Sequence, residues 1–167
     1  MTVETVDTGK LWDMIGDIKF GMLTLRGQDG QLHSSPMTTQ NGSADRGGVL
    51  WFFMSRSGER IRALQAEPEV NVAYADPDAD WYVSISGVAR IIEDPVKKRE
   101  LFDSVSKAWF AGGADDPDLA LVAIVVSEAE YWDVKSNKAV QLFKLAKAAV
   151  TGEKPLDLAE HRRGRLH

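Results

Sequence analysis

Between His33 and Ile61 the chain reads HSSPMTTQNGSADRGGVLWFFMSRSGERI. A short extended segment, His33–Gln40, leads through a Gly/Asn/Asp-rich turn into the apolar run Val49–Met54. That run stops at Ser55-Arg56-Ser57-Gly58-Glu59-Arg60, where an amphipathic helix begins. A strand that delivers hydroxyls, arginines and a glycine to a helix start can hold a phosphate. Free backbone N–H groups and the positive end of the helix dipole point there. With Ser57 as N-cap, the third helical position carries Arg60, where a capping box has Glu or Gln. A cation in the first turn opposes the macrodipole by a few tenths of a kcal/mol, up to ~1, and a bound anion reverses that sign. The plainer alternative is an exposed arginine on an ordinary surface helix.

Positioning such a turn requires a folded frame, and 167 residues are about the size of one domain. Hydrophobic residues at 44% and charged residues at 27% are ordinary for a soluble globular protein. The sequence contains no cysteine, which excludes disulfides, thiolate catalysis and Cys-based metal sites. The three histidines, His33, His161 and His167, are too scattered to suggest a metal cluster. A net charge of −5 argues against a broad nucleic-acid surface, the Arg162–Arg165 cluster being a local exception. No run reaches ~18 consecutive apolar residues, and the N-terminus is acidic and polar, unlike a signal peptide. The expectation is a cytoplasmic protein.

Residues 3–19 carry Val6, Leu11, Trp12 and Ile15 at roughly helical spacing, with Asp7 or Thr8 as caps. Phe20–Arg26 reads as a strand, and Gly27-Gln28-Asp29-Gly30 as a hairpin turn into Leu32–Gln40. Val49–Met54 is the next strand, and Gly58–Ala66 a helix closed before Pro68. Glu69–Ala75 and Trp81–Ile92 alternate as strands. Trp81, Val83, Ile85 and Ala89 face one way, and Gly87 marks a bulge or a close backbone approach. Pro95 opens a helix predicted to run to Trp109, with Leu101, Phe102, Val105 and Trp109 as its stripe. Leu119–Val126 reads as one strand and Tyr131–Val134 as the start of another; residues 138–150 read as a helix. Six or seven hairpin-connected strands with a helix before, between and after them predict an α+β fold built around an antiparallel β-barrel with flanking helices. Residues 1–150 form the barrel domain and 151–167 a flexible C-terminal tail.

The order of these elements resembles the flavin-binding split barrel of the pyridoxamine 5′-phosphate oxidase-like superfamily, in its general stress protein branch. The resemblance runs from about Trp12 to Val134. Its marks are Ser35-Pro36-Met37, Leu50–Ser55, the turn Ser57–Arg60, Val70-x-Val72-x-Tyr74 after Pro68, Ser84-Ile85-Ser86-Gly87-x-Ala89, Asp116-Pro117 and Glu130-Tyr131-Trp132-Asp133. The resemblance implies FMN at the interface of a homodimer. Ser35, Pro36, Met37, Phe53, Met54 and Ser55 then run beside the isoalloxazine ring, largely through backbone atoms. Ser57 and Arg60 hold the 5′-phosphate, and Trp109 and Trp132 are candidate ring contacts from the second subunit; Trp109 is equally placed as a core anchor of its helix. The chain departs from the family pattern at Ser35, where the family has Arg, and at Met54, where it commonly has Thr. Gly58, Glu59 and Arg60 replace its Ser, a basic or polar residue, and Lys. Arg60 restores the charge with a bidentate fork, whereas Glu59 sets a like charge beside the phosphate.

Three functions follow as expectations. The first is an FMN-dependent oxidoreductase of unknown substrate, the second a non-catalytic flavin-binding or sensing dimer. The third is authentic pyridoxamine 5′-phosphate oxidation, disfavoured because Arg26, Arg56, Arg60, Arg62 and Arg90 make no second phosphate cluster. Deazaflavin or haem in the same cleft ranks below FMN, and FAD is disfavoured because no G-x-G-x-x-G follows a strand. Trp51, Phe53, Val83, Ile85 and Trp132 are expected to compete for cover on an isologous dimer face.

Overall fold

The computed structural model describes residues 5–134, 145, 147, 149–152 and 160–166. Helix α1 (Thr8–Ile18) is capped by Asp7, whose carboxylate accepts from the Lys10 N–H at 3.1 Å. Its face Leu11, Trp12, Met14 and Ile15 is buried and packs against the sheet. The strands are β1 (Phe20–Arg26), β2 (Leu32–Thr38), β3 (Val49–Ser55), β4 (Glu69–Asp76), β5 (Trp81–Ile92), β6 (Leu119–Asp133) and β7 (Glu160–Gly164). Helix α2 (Glu59–Ala66) links β3 to β4, and α3 (Pro95–Leu101) and α4 (Ser104–Trp109) lie between β5 and β6. All pairings are antiparallel, in the order β2-β1-β4-β5-β6-β3 with β7 also on β6. The curled sheet is the expected split barrel. Among the described residues no helix is long and apolar enough to cross a membrane.

Three local expectations are corrected. The segments Leu119–Val126 and Tyr131–Val134 belong to one 15-residue strand, β6. Its edge is shared: the first half pairs with β3 and the second with β7. The strand accommodates a bulge opposite Gly87, where the register with β5 shifts. A Cβ on Gly87 would stand 2.5 Å from the Val125 carbonyl oxygen, so the glycine marks both a bulge and a close approach. Next, the helix expected from Pro95 to Trp109 breaks at Phe102-Asp103. The Asp103 carboxylate accepts from the Ser106 N–H at 2.8 Å and caps a new helix; an aspartate inside a helix favours this local bond. Of the expected stripe, Leu101 is buried and Phe102 partly so, while Val105 and Trp109 are exposed. Finally, β7 lies within the stretch read from the sequence as a tail. Arg163 reaches Glu128 at 2.7 Å and His161 pairs with Glu130 on β6. The predicted helix over residues 138–150 lies largely outside the described residues.

The main core fills the barrel with Leu50, Phe52, Met54, Val72, Tyr74, Val83, Ile85, Ile124 and Tyr131, among others. A second cluster, Phe53, Leu101, Leu119 and Leu121, lies on the opposite face of β3 and β6, with Trp51, Phe102 and Phe110 packed against it. The β3 and β6 segments are therefore covered on both faces, which is why they read as unbroken apolar runs. Each large side chain buried there contributes ~1.5–3 kcal/mol. This arrangement also corrects the expected dimer face: Phe53, Val83 and Ile85 are already buried within one chain.

Candidate functional site

A cleft of about 500 Å³ opens between β2 and the start of α2. Residues Leu25 and Ala63 form its apolar floor, and its walls carry Gln28, Asp29, His33, Ser34, Ser35, Glu59 and Arg60. Strand alternation explains the β2 contribution. His33, Ser35 and Met37 pair with Leu25, Leu23 and Gly21 of β1, and so stand on the inner face of the sheet. Met37 is buried in the core, while the other two lie at the rim. Helix α2 packs against β1 and brings Arg60 to the same opening.

Gly58, not Ser57, is the N-cap of α2, in extended conformation and without a side-chain cap bond. Glu59 is therefore the first helical residue and Arg60 the second, one place earlier than the sequence spacing suggested. Glu59 in the first turn complements the helix dipole. Both are exposed, and among the described residues neither side chain has a hydrogen-bond or ion-pair partner.

The hydroxyls expected to hold a phosphate are engaged elsewhere. Ser55 Oγ donates to Asp118 Oδ2 at 2.6 Å, and the Ser57 backbone N–H donates to Asp118 Oδ1 at 2.9 Å. The Arg56 N–H reaches the Asp118 carbonyl oxygen at 2.6 Å. The Ser55 hydroxyl, followed by the Ser57 N–H, holds the Asp118 carboxyl below the usual carboxylate range. An internal carboxylate thus occupies the turn. Arg56 pairs with Glu93 at 2.7 Å, and Arg62 donates to the Ser57 carbonyl at 3.0 Å.

The structure brings Ser35 and Arg60 into one cleft and gathers Ser55 and Ser57 around Asp118. The side chains of Met37, Phe53 and Met54 are buried in the two cores. Pro36 is on the outer face of the sheet opposite Met22. Trp109 is 80% exposed on α4. Trp132 stacks on His161 with ring centroids 4.9 Å apart and planes 4° from parallel. Sequence reasoning missed Asp118, whose bond to Ser55 spans 63 residues, and the pairing of Asp29 with His33 across the hairpin turn at 2.8 Å. The second was findable: a tight turn sets the two at opposite ends of one short loop. Among the described residues no three His, Asp or Glu side chains converge as a metal group.

A family model described as pyridoxamine 5′-phosphate oxidase like matches residues 6–157. A protein described as a general stress protein 26 from Jannaschia sp. CCS1 superposes with a TM-score of 0.72 at 27% identity, covering 95% of this chain and 97% of that one. The general stress FMN/FAD binding protein of Xanthomonas citri is 35% identical with a TM-score of 0.66, over 75% of this chain and 87% of that one. The protein bli-3 of Neurospora crassa is 25% identical over 147 residues, 81% of this chain and 68% of its own length.

Proposed function

The chain belongs to the pyridoxamine 5′-phosphate oxidase-like family, and on that footing we propose that it is a cytoplasmic, FMN-binding homodimer of the general stress protein type, acting as a flavin-dependent oxidoreductase. The observation that carries this reading is the cleft between β2 and α2. Its volume of about 500 Å³ falls in the range of small-molecule sites. It combines an apolar floor with the Ser35 hydroxyl and the partnerless Arg60 guanidinium. A phosphomonoester fits that donor set, because an unpaired guanidinium offers a planar fork to phosphate.

The Ser55–Ser57 turn fits less well, since Asp118 already accepts its donors. On this proposal the FMN phosphate sits on Arg60 with the Ser35 hydroxyl as a further ligand, the Ser34 hydroxyl being turned to Thr24 at 2.6 Å on the other face of β2, while Ser55 and Ser57 fix the start of α2. Bound flavin supplies the redox chemistry; the chain supplies orientation and electrostatics. Residues Met37, Phe53 and Met54, buried by their side chains, meet a ring only through backbone atoms.

The sheet's outer face supports the second subunit. Phe20 and Met22 are 61% and 43% exposed, Tyr82 is 37% exposed, and Pro36 and Trp132 belong to the same face. An apolar strip of this kind on a curled sheet suits an isologous contact with another copy. Pyridoxamine 5′-phosphate oxidation is disfavoured by the arginines: Arg26, Arg56 and Arg62 are already engaged with Gly30, Glu93 and Ser57. The test is the absorption spectrum and fluorescence of the purified protein titrated with FMN and with riboflavin, beside its mass by light scattering. Quenched flavin with FMN favoured over riboflavin, on a dimer, is the expected outcome. A monomer mass with no spectral change would reject the reading.

A further inference from the structure

Within the cleft, the Asp29–His33 pair has no role in the reading above. His33 Nε2 lies 2.8 Å from Asp29 Oδ2 and 3.0 Å from Oδ1. The carboxylate is itself anchored, accepting the Gln31 N–H at 3.0 Å. That backbone bond, then the bond to His33, holds Asp29 below the usual carboxylate range, so it is charged at neutral pH. An imidazole whose Nε2–H donates to a fixed carboxylate is oriented, and its other nitrogen is released for a ligand. Among the described residues Nδ1 has no partner.

Room for this pair is built into the turn. A Cβ on Gly27 would stand 2.8 Å from both His33 Cδ2 and Asp29 Oδ1. Any larger residue would push the ring off the hairpin. The sheet register then places His33 and Ser35 on one face of β2, both lining the cleft with Arg60.

The charged groups facing His33 are Asp29 from the turn and Glu59 and Arg60 from α2. Arg26, at the end of β1, is turned to the Gly30 carbonyl at 2.8 Å. With His33 neutral, the charges lining the cleft leave one net negative charge, because Arg60 faces two carboxylates. With His33 protonated they balance, and both nitrogens of the ring donate.

We propose that His33, oriented by Asp29, is the second cationic ligand of a phosphomonoester held by Arg60, so that anion affinity in this cleft is switched by the His33 proton. The proposal rests on the placement of the FMN phosphate at Arg60, and it adds a pH dependence and a residue which that placement does not require. By linkage, a ligand that prefers protonated His33 must raise the midpoint of the His33 titration.

The experiment follows the imidazole signals of the full-length protein by NMR from pH 5 to 9, with His33 identified by its loss in His33→Gln. Saturating FMN should raise the His33 midpoint by about one pH unit, equivalent to about tenfold tighter binding to the protonated form. Inorganic phosphate should move it the same way, and riboflavin should not. In parallel, FMN affinity should be higher in the wild type than in His33→Gln at pH 6, and the two should converge at pH 8.5. The titration of the ligand's own phosphate is common to both proteins and cancels in the comparison. FMN binding that leaves the His33 midpoint in place overturns the proposal, as does an equal shift with riboflavin. If FMN does not bind but phosphate still raises the midpoint, the anion site stands and the flavin reading fails. If neither FMN nor phosphate moves His33, both are rejected.

Discussion

Replacing Arg60 by alanine separates ligand binding from folding, because among the described residues the guanidinium has no partner to lose. Charge-assisted hydrogen bonds contribute about 1.5–3 kcal/mol, and each ~1.4 kcal/mol is tenfold in affinity. The ceiling for Arg60→Ala is thus a loss of roughly a hundredfold in FMN binding. Arg60 is exposed, and solvent screening weakens such pairs, so the expected loss lies at the lower end, about tenfold. Thermal stability should hold or rise slightly, because a cation at the second position of α2 opposes the helix dipole by a few tenths of a kcal/mol to ~1. Glu59→Gln should tighten FMN a few-fold by removing a like charge from the same opening. The assay is isothermal titration of both variants with FMN and riboflavin, alongside thermal unfolding. Unchanged FMN affinity in Arg60→Ala, or an equal loss for riboflavin, would refute the assignment of the phosphate to this side chain.

Gly87→Ala should lower Tm by roughly 2–12 °C. Its Cβ would meet the Val125 backbone at 2.5 Å, overpacking of this kind costs about 1–3 kcal/mol, and each kcal/mol shifts Tm by ~2–4 °C at this size; calorimetry measures it. Asp118→Asn should destabilise the Ser55–Ser57 turn in a pH-dependent manner. Asp118 has a depressed pKa, so its contribution is complete above the unfolded carboxylate value near 3.9 and is lost as pH falls through the folded one. Wild type and variant should therefore differ at pH 7 and approach each other in acid unfolding; a constant gap down to pH 2 would count against this. If the proposed dimer forms through the exposed outer face, Phe20→Glu there should give a monomer mass in light scattering while leaving the circular dichroism unchanged.

Much of the fold was legible in the chain because it rests on local rules. The alternation of Trp81–Ile92 sorts Val83 and Ile85 inward as the structure has them; the hairpin glycines and the proline that opens α3 punctuate the elements where expected. Boundaries failed where a second element decided them. Whether 119–133 is one strand or two depends on β5 and β7, whose pairings continue the ladder past its bulge. The break at Asp103 depends on a carboxylate choosing Ser106 over continued helix.

The same division holds at the site. Residue types and order pointed to Arg60 and to the hydroxyls of Ser55 and Ser57, because a strand that ends on serines before a helix is a feature of adjacent residues; Ser35 entered through the resemblance, as a backbone contact. Only the tertiary structure set Ser35 in the cleft with Arg60 and turned Ser55 and Ser57 away from it. Asp118 arrives from the far end of the α3–α4 segment and takes the donors of the turn, and the curl of the sheet sets Ser35 and His33 across from Arg60. A hydrogen bond spanning 63 residues leaves no mark on local sequence, since its geometry is set by how strands far apart in the chain are brought edge to edge.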